Sequence, residues 1–231
     1  VNHEITKQPE ILASAPFILG QGLLMGGRMV KGALIRGVLP TEEAGVSYLS
    51  ESMKGGSWNA LESGKWQIVL GSELARQLGV SVGQKVTLVA PRGQITPAGL
   101  LPRLKRFNVA GVFELGMYEH DSGLAILHLG DAARLFKTGG LVSGRRLKLA
   151  DLYQAPRIRE QLSRSLGAGY RVTDWTIQHV NLFRAIKIER RVMFIILLLI
   201  VAVAAFNIVS TLVMLVTDKR SDVAILRTLG L

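Results

Sequence analysis

The chain has 231 residues, no cysteine, 48% hydrophobic residues and a formal net charge of +11. The absence of cysteine excludes disulfides, thiolate metal sites and cysteine nucleophiles, without fixing a redox compartment. The cationic excess suits anionic lipid, an acidic protein or nucleic acid, and a basic surface beside a membrane is the simplest account of it.

Taken in order, the chain begins at Val1 with no charged-then-apolar leader and stops at Leu231 just inside an amphipathic stretch, so it reads as a piece of a longer polypeptide. Residues 13–25 and 29–39 are apolar-rich runs separated by Gly26 and Gly27, which predicts a β-hairpin. Residues 72–79 predict a short helix, with Ser72 as N-cap and Gly79 as C-terminal stop. Strands are expected at 85–90, 107–115, 124–129 and 145–149. A short helix is expected at 131–136, capped by Asp131 or Gly130. Pro156 opens a helix to about Leu166, with Ile158, Leu162 and Leu166 on one face. A last strand is expected at 170–175, and from Thr176 a helix runs on without a break. The sum is an α+β domain with no internal repeat.

Residues 192–216 carry 25 consecutive positions without a charge. As a helix this segment is about 37 Å long, enough to cross a hydrocarbon core of about 30 Å with some tilt. Asn207, Ser210 and Thr211 are its only clearly polar residues. In lipid they either hydrogen-bond a neighbouring helix or bond back to their own. Ala202, Ala204 and Ala205 permit close approach of partner helices. Both flanks are basic (Arg184, Lys187, Arg190 and Arg191 before, Lys219, Arg220 and Arg227 after), so charge does not choose an orientation.

Catalytic motifs fail on inspection. A phosphate-cradling loop needs Gly-x-x-x-x-Gly-Lys-Ser/Thr, and around Gly64-Lys65 it meets Asn59 and Trp66 instead. The dinucleotide pattern starting at Gly20 and Gly22 ends on Met25. His3, His120, His128 and His179 are scattered. Glu119, His120 and Asp121 offer either a metal site or a polar turn between strands, the turn being the plainer reading, and His128 reads as an ordinary strand position.

Two segments read as interaction sites. In residues 90–107, Pro91, Pro97 and Pro102 lack backbone donors, so the segment resists joining a sheet. Ala98, Gly99, Leu100 and Leu101 form an apolar tip over basic Arg103, Lys105 and Arg106: a docking device, or a loop whose leucines fold back on the core. Residues 217–231 follow the span with Val223, Leu226 and Leu229 or Gly230 on one side, as a juxtamembrane helix or a plug for a partner's groove.

The stretches 201–214 and 218–230, together with 94–102 followed by Phe107, Asn108 and Val109, resemble the LolC/LolE permease family of the lipoprotein-releasing ABC transporter, within the wider MacB/FtsX-type group. The resemblance covers essentially the whole chain. The 94–102 stretch is similar to the LolC hook, while 207–214 looks more like LolE, a mixture that resembles a single hybrid permease. It implies that Thr96, Pro97, Ala98, Gly99, Leu100, Leu101 and Pro102 form a hook for a LolA-like periplasmic carrier. A pad at its base would involve Arg103, Lys105 and Arg106, although Leu104 departs from the polar residue expected there. Asp222, Val223, Ala224, Leu226, Arg227, Leu229 and Gly230 would meet a LolD-like ATPase.

The architecture implied is a MacB-like α+β periplasmic domain of two subdomains over residues 1–180. Its outer subdomain would span about 40–137, with the hook at 91–106, and the membrane-proximal one 1–39 plus 138–180. A stalk and transmembrane helix follow at 181–217, then a short cytoplasmic coupling helix, truncated, at 218–231. The full-length protein would be multi-pass in the bacterial inner membrane, with a first membrane helix before Val1 and two more after Leu231. It would move lipoproteins, contact membrane lipid and pair with a second permease subunit as a homodimer or heterodimer. It would hold no cofactor itself, ATP and Mg binding at the partner ATPase. Two other readings are another MacB/FtsX-type subunit, for efflux or cell-envelope signalling, and a membrane-anchored nucleic-acid-binding domain. The latter needs aromatics interleaved with the basic cluster, where only Phe107 lies nearby, so nucleic acid is not an expected partner.

Overall fold

The computed structural model describes residues 5, 8–96, 99–178 and 180–228, and side chains there other than those of 91–102, 178–183, 221–223 and 226–228. The chain falls into two compact units, Val1–Gln154 and Ala155–Leu231.

The first unit opens with the expected hairpin, β1 (Ile11–Gly26) and β2 (Met29–Val38), in register from Phe17↔Val38 to Gly26↔Met29. Its turn starts at Gly27, whose φ of +58° is a left-handed conformation that glycine adopts without steric cost. There follow helix Pro40–Val46, β3 (Met53–Gly56), a 3₁₀ turn Trp58–Ala60, β4 (Gln67–Gly71) and helix Ser72–Leu78. Next come β5 (Lys85–Thr96), β6 (Gly99–Phe113), helix Tyr118–Gly123, β7 (Leu124–His128), helix Leu129–Phe136 and β8 (Gly144–Leu149).

The strands form one mixed sheet in the order β2-β7-β4-β6-β5-β1-β8. Because β1 also pairs with β2, the sheet closes into a ring of six strands, with β8 on β1 and β3 on β6. Closure removes the exposed edges that an open sheet would carry. All six strands give alternate residues to one core: Ile18, Leu24, Ile35, Ile68, Leu70, Leu88, Phe107 and Leu127 are essentially inaccessible, together with Leu74 and Leu78 of one helix and Leu135 of another. The opposite, outer face is covered over part of its extent, where Leu49, Trp58 and Leu61 bury Val38, Val69, Phe113, Leu124 and Ile126.

Three local expectations are corrected. Ser72 is the first helical residue, and the N-cap position falls on Gly71, without a side-chain cap. A Cβ at Gly71 would lie 2.3 Å from the Asp121 carbonyl oxygen, so close packing rather than capping chemistry dictates that position. The 131–136 helix starts earlier, at Leu129, and His128 is its cap, its Nδ1 accepting the Gly130 amide at 3.1 Å. Residues 170–174 form no strand: the buried Asp174 carboxylate accepts the Thr176 and Ile177 amides at 2.9 and 3.0 Å and starts helix Trp175–Gln178.

In the second unit, helix Ala155–Leu166 buries Ala155, Ile158 and Leu162, with Leu166 half-buried. The last helix, Val180–Thr228, is 49 residues long, about 74 Å at 1.5 Å per residue. Its segment Arg184–Arg220 has a mean hydropathy of 3.1 over its most apolar window and is long and apolar enough to cross a membrane. Thr211 Oγ1 donates back to the Asn207 carbonyl at 2.8 Å, and Thr217 to that of Val213 at 2.8 Å, so both hydroxyls are satisfied inside their own helix. Residues 218–228 are the final turns of this helix rather than a separate one.

Candidate functional site

β5 and β6 form a hairpin paired from Lys85↔Asn108 to Thr96↔Gly99. At its foot it belongs to the ring, β5 pairing with β1 over 87–89 and β6 with β4 over 108–113. Beyond Ala90 and Arg103 neither strand has another strand partner among the described residues, so this part of the hairpin stands clear of the ring. The register is interrupted between Ala90 and Gln94, where Pro91, Arg92 and Gly93 face the single residue Pro102. The expectation that the prolines keep this segment out of a sheet is therefore corrected. Two of them lie within strands, at the irregularity where ladder hydrogen bonds are already lost, which is where a strand tolerates proline. Thr96, Gly99, Leu100, Leu101 and Pro102 are described by backbone alone, and Pro97 and Ala98 lie outside the described residues.

At the foot of the hairpin, strand alternation separates the basic residues onto two faces. Arg103, Lys105 and Phe107 turn toward the packed side, whereas Leu104 and Arg106 turn outward. Arg103 Nη1 donates to the Leu135 carbonyl in the last turn of helix Leu129–Phe136, at 3.2 Å. Lys105 Nζ sits 3.9 Å from the centroid of the Trp66 ring, a cation–π contact. Trp66 in turn meets Phe107 edge to face, centroids 5.6 Å apart. Leu104, by contrast, is 63% exposed.

Trp66 is itself held in a left-handed conformation, φ +52°, uncommon for a bulky residue. The fully buried Asp131 carboxylate holds it there, accepting the Gly64 amide through Oδ1 at 2.7 Å and the Trp66 amide through Oδ2 at 3.1 Å. The Trp66 carbonyl accepts the Asn108 amide at 3.0 Å. Trp66 and Asp131 were not legible as site residues, because their partners are 65 residues apart and no spacing rule joins them.

Asp121 does not read as a metal ligand. Its two carboxylate oxygens accept the Leu115 and Gly116 amides at 2.8 and 3.0 Å, and Glu119, His120 and Asp121 lie in a short helix rather than a simple turn. Among the described residues no group of three His, Asp or Glu side chains is placed to hold a metal. At the other end of the chain, Asp222, Val223, Ala224, Leu226 and Arg227 belong to the last turns of the long helix, Ala224 being exposed. Leu229 and Gly230 lie outside the described residues.

The described residues thus form an α+β domain with a standing hairpin and a helix long and apolar enough to cross a membrane. No family model matches the chain. It is 47% identical over 222 residues to the lipoprotein-releasing system transmembrane protein LolC of Neisseria meningitidis, covering 96% of this chain and 54% of that protein. It is 45% identical over 223 residues to LolC of Xylella fastidiosa, with the same coverage of both chains. It is 30% identical over 227 residues to LolE of Haemophilus influenzae, covering 98% of this chain and 54% of that protein. Among solved structures, the extracellular domain of the ABC-type transporter YknZ from Gram-positive bacteria aligns with a TM-score of 0.49 at 12% identity, over 74% of this chain and 86% of that one. The periplasmic region of MacB from Actinobacillus actinomycetemcomitans aligns at 0.45 and 17%, over 71% and 70%. The chain belongs to the LolC/LolE family of lipoprotein-releasing permeases, and it spans about half the length of the relatives it matches.

Proposed function

We propose that this chain is the periplasmic domain, one membrane helix and the start of the ATPase-facing segment of a permease subunit that extracts lipoproteins from the inner membrane and passes them to a soluble periplasmic carrier. The observation that carries the reading is the hairpin. Residues 90–103 leave the ring as a two-stranded arm, and kinship to lipoprotein-releasing proteins gives that arm a task. Gly99, Leu100 and Leu101 near its end are the residues we assign to the carrier contact, with Thr96, Pro97, Ala98 and Pro102. Of the pad residues, Arg106 is the cation turned toward a partner.

In this reading residues 1 to about 190 are periplasmic and 218–231 cytoplasmic. Asp222, Val223, Ala224, Leu226, Arg227, Leu229 and Gly230 meet a separate ATPase, which binds ATP and Mg. The unbroken helix Val180–Thr228 suits transmission of motion along its axis, since its backbone hydrogen bonds continue from one end to the other. A second permease subunit, identical or homologous, completes the translocation path.

The test is photocrosslinking from positions 100 and 101 of the full-length protein in cells. Adducts to a soluble periplasmic carrier, lost in a Pro97→Ala/Pro102→Ala variant, are expected. Absence of any carrier adduct, with both positions closed to water-borne labels, would return the tip to the core and end the carrier reading.

A further inference from the structure

Helix Val180–Thr228 carries its charges unevenly around its axis ahead of the apolar run. At about 100° per residue, Arg184, Lys187, Arg190 and Arg191 fall within an arc of about 120°. The opposite side holds Ala185, Ile186, Ile188, Val192 and Met193, with Glu189 among them. All four cations are exposed, and none forms an ion pair among the described residues.

The same helix fixes their heights above the hydrocarbon. Arg191 is the last charge before the uncharged run 192–216. At 1.5 Å per residue, Arg190, Lys187 and Arg184 lie about 1.5, 6 and 10 Å further out. The headgroup layer on one side of a bilayer is about 5–8 Å thick. The stripe therefore starts at the hydrocarbon boundary and runs through the whole layer that holds the lipid phosphates. At the other end of the run the charge is mixed, Asp218 adjoining Lys219 and Arg220.

Directly below the stripe, on the same side of the helix, Phe194, Leu197, Leu198 and Val201 line a shallow and wholly apolar groove of about 330 Å³. Asn207, Ser210 and Thr211 lie on the opposite side, the one suited to partner helices. Lipid is thus the medium left to the basic side.

We propose that this stripe and groove form a binding site for an anionic phospholipid, whose phosphate is held by Arg184, Lys187, Arg190 and Arg191 and whose acyl chain lies along Phe194, Leu197, Leu198 and Val201. Guanidinium groups grip phosphate oxygens in pairs, and the lysine adds a point charge. The choice of leaflet rests on the reading above, which makes this flank periplasmic. The positive-inside rule keeps translocated flanks poor in Lys and Arg, and a bound anion offsets the bias against four cations in this one.

The experiment uses the full-length permease complex in nanodiscs of phosphatidylcholine and phosphatidylglycerol, one lipid or the other carrying brominated chains that quench tryptophan. Phe194→Trp puts the reporter under the stripe, and Ile196→Trp puts it on the opposite side. Brominated phosphatidylglycerol is expected to quench at position 194 at about a tenth of the lipid fraction that brominated phosphatidylcholine needs. At 196 the two lipids should not differ. Combining Phe194→Trp with Arg184→Gln, Lys187→Gln, Arg190→Gln and Arg191→Gln should remove the preference, while persisting quenching by phosphatidylcholine shows that the helix still spans the bilayer. A set of Arg→Lys changes at 184, 190 and 191 should retain most of it. Equal quenching by both lipids at 194, or a preference that survives the glutamine changes, overturns the proposal. So does the same preference at 196, which would mean surface charge in general. Absence of quenching by either lipid at 194 would show that protein covers this side, and loss of the preference in inorganic phosphate at constant ionic strength would make it a free-phosphate site. Both results defeat the lipid assignment. The carrier reading stands or falls separately, on crosslinking from position 100.

Discussion

Lys105 Nζ lies 3.9 Å from the centre of the Trp66 ring, and this contact fastens the foot of the hairpin to the loop that leads into β4. The ring faces the cation, its edge meets Phe107, and its backbone is fixed by Asp131. The part of the hairpin that stands clear of the ring is thereby given a fixed base.

Replacing Trp66 by Ala removes the cation–π contact and the edge contact with Phe107 together. A loss of about 2 kcal/mol is expected, since the ring is only partly buried. Chemical denaturation of the purified protein measures it. A Lys105→Met variant, which keeps the apolar stem, should lose less than half as much.

Asp131→Asn leaves one oxygen where two backbone amides, those of Gly64 and Trp66, now find acceptors. One buried amide goes unpaired, at a cost of about 1–3 kcal/mol. Thermal unfolding should shift downward, and proteolysis at the 62–66 loop should accelerate.

Arg103 and Arg106 differ in role despite equal charge. Arg103→Glu breaks the bond to the Leu135 carbonyl and turns a carboxylate toward a carbonyl oxygen, so the melting temperature falls. Arg106→Glu leaves the melting temperature unchanged and slows carrier capture, most visibly at low salt. Equal destabilisation by both would contradict the two-face arrangement.

Asp174 supplies a pH-dependent element. Burial alone would raise its pKa, but the Thr176 hydroxyl, the Ile177 and Thr176 amides and the nearby Arg159 together hold it below the usual carboxylate value. A depressed folded pKa means that its stabilisation is present above the unfolded value, near 3.9, and is lost as pH falls through the folded one. Protection of the Ile177 amide, its exchange measured against an unstructured amide at the same pH, should fall below about pH 4 in the native sequence. In Asp174→Asn that protection should be low already at neutral pH and change little on acidification.

Gly56 has φ +79°, and a Cβ there would lie 2.1 Å from the Ala110 carbonyl oxygen. Gly56→Ala therefore combines backbone strain with a clash against backbone that cannot move aside. A loss of roughly 2 kcal/mol or more is expected, seen as reduced yield of folded protein.

The apolar run 192–216, the 13–39 hairpin, the short helices near 72–79 and 131–136 and the strand positions 124–128 and 145–149 were legible because their signals are local. An uncharged run of 25 residues, a two-glycine turn and alternating or four-spaced apolar residues each depend only on near neighbours. The family resemblance was legible for the same reason, being carried by contiguous stretches at 94–102 and 201–230.

Ring closure was not legible, because it depends on Leu23, Leu24 and Met25 meeting Val89, Leu88 and Thr87 across more than sixty intervening residues. Nor was the full hairpin. Local chemistry counts prolines 91 and 102 against a strand, whereas the paired chain can place both within one interruption. The basic residues at 103, 105 and 106 form a single cluster in sequence. Only strand alternation, together with the distant Trp66 and Leu135, divides them into two anchors and one exposed charge. Sequence thus determined which segments are long and apolar enough to cross a membrane and which fold back, because those are properties of short stretches. The tertiary structure decided which side chains are left facing outward, because that depends on what long-range pairing has already covered.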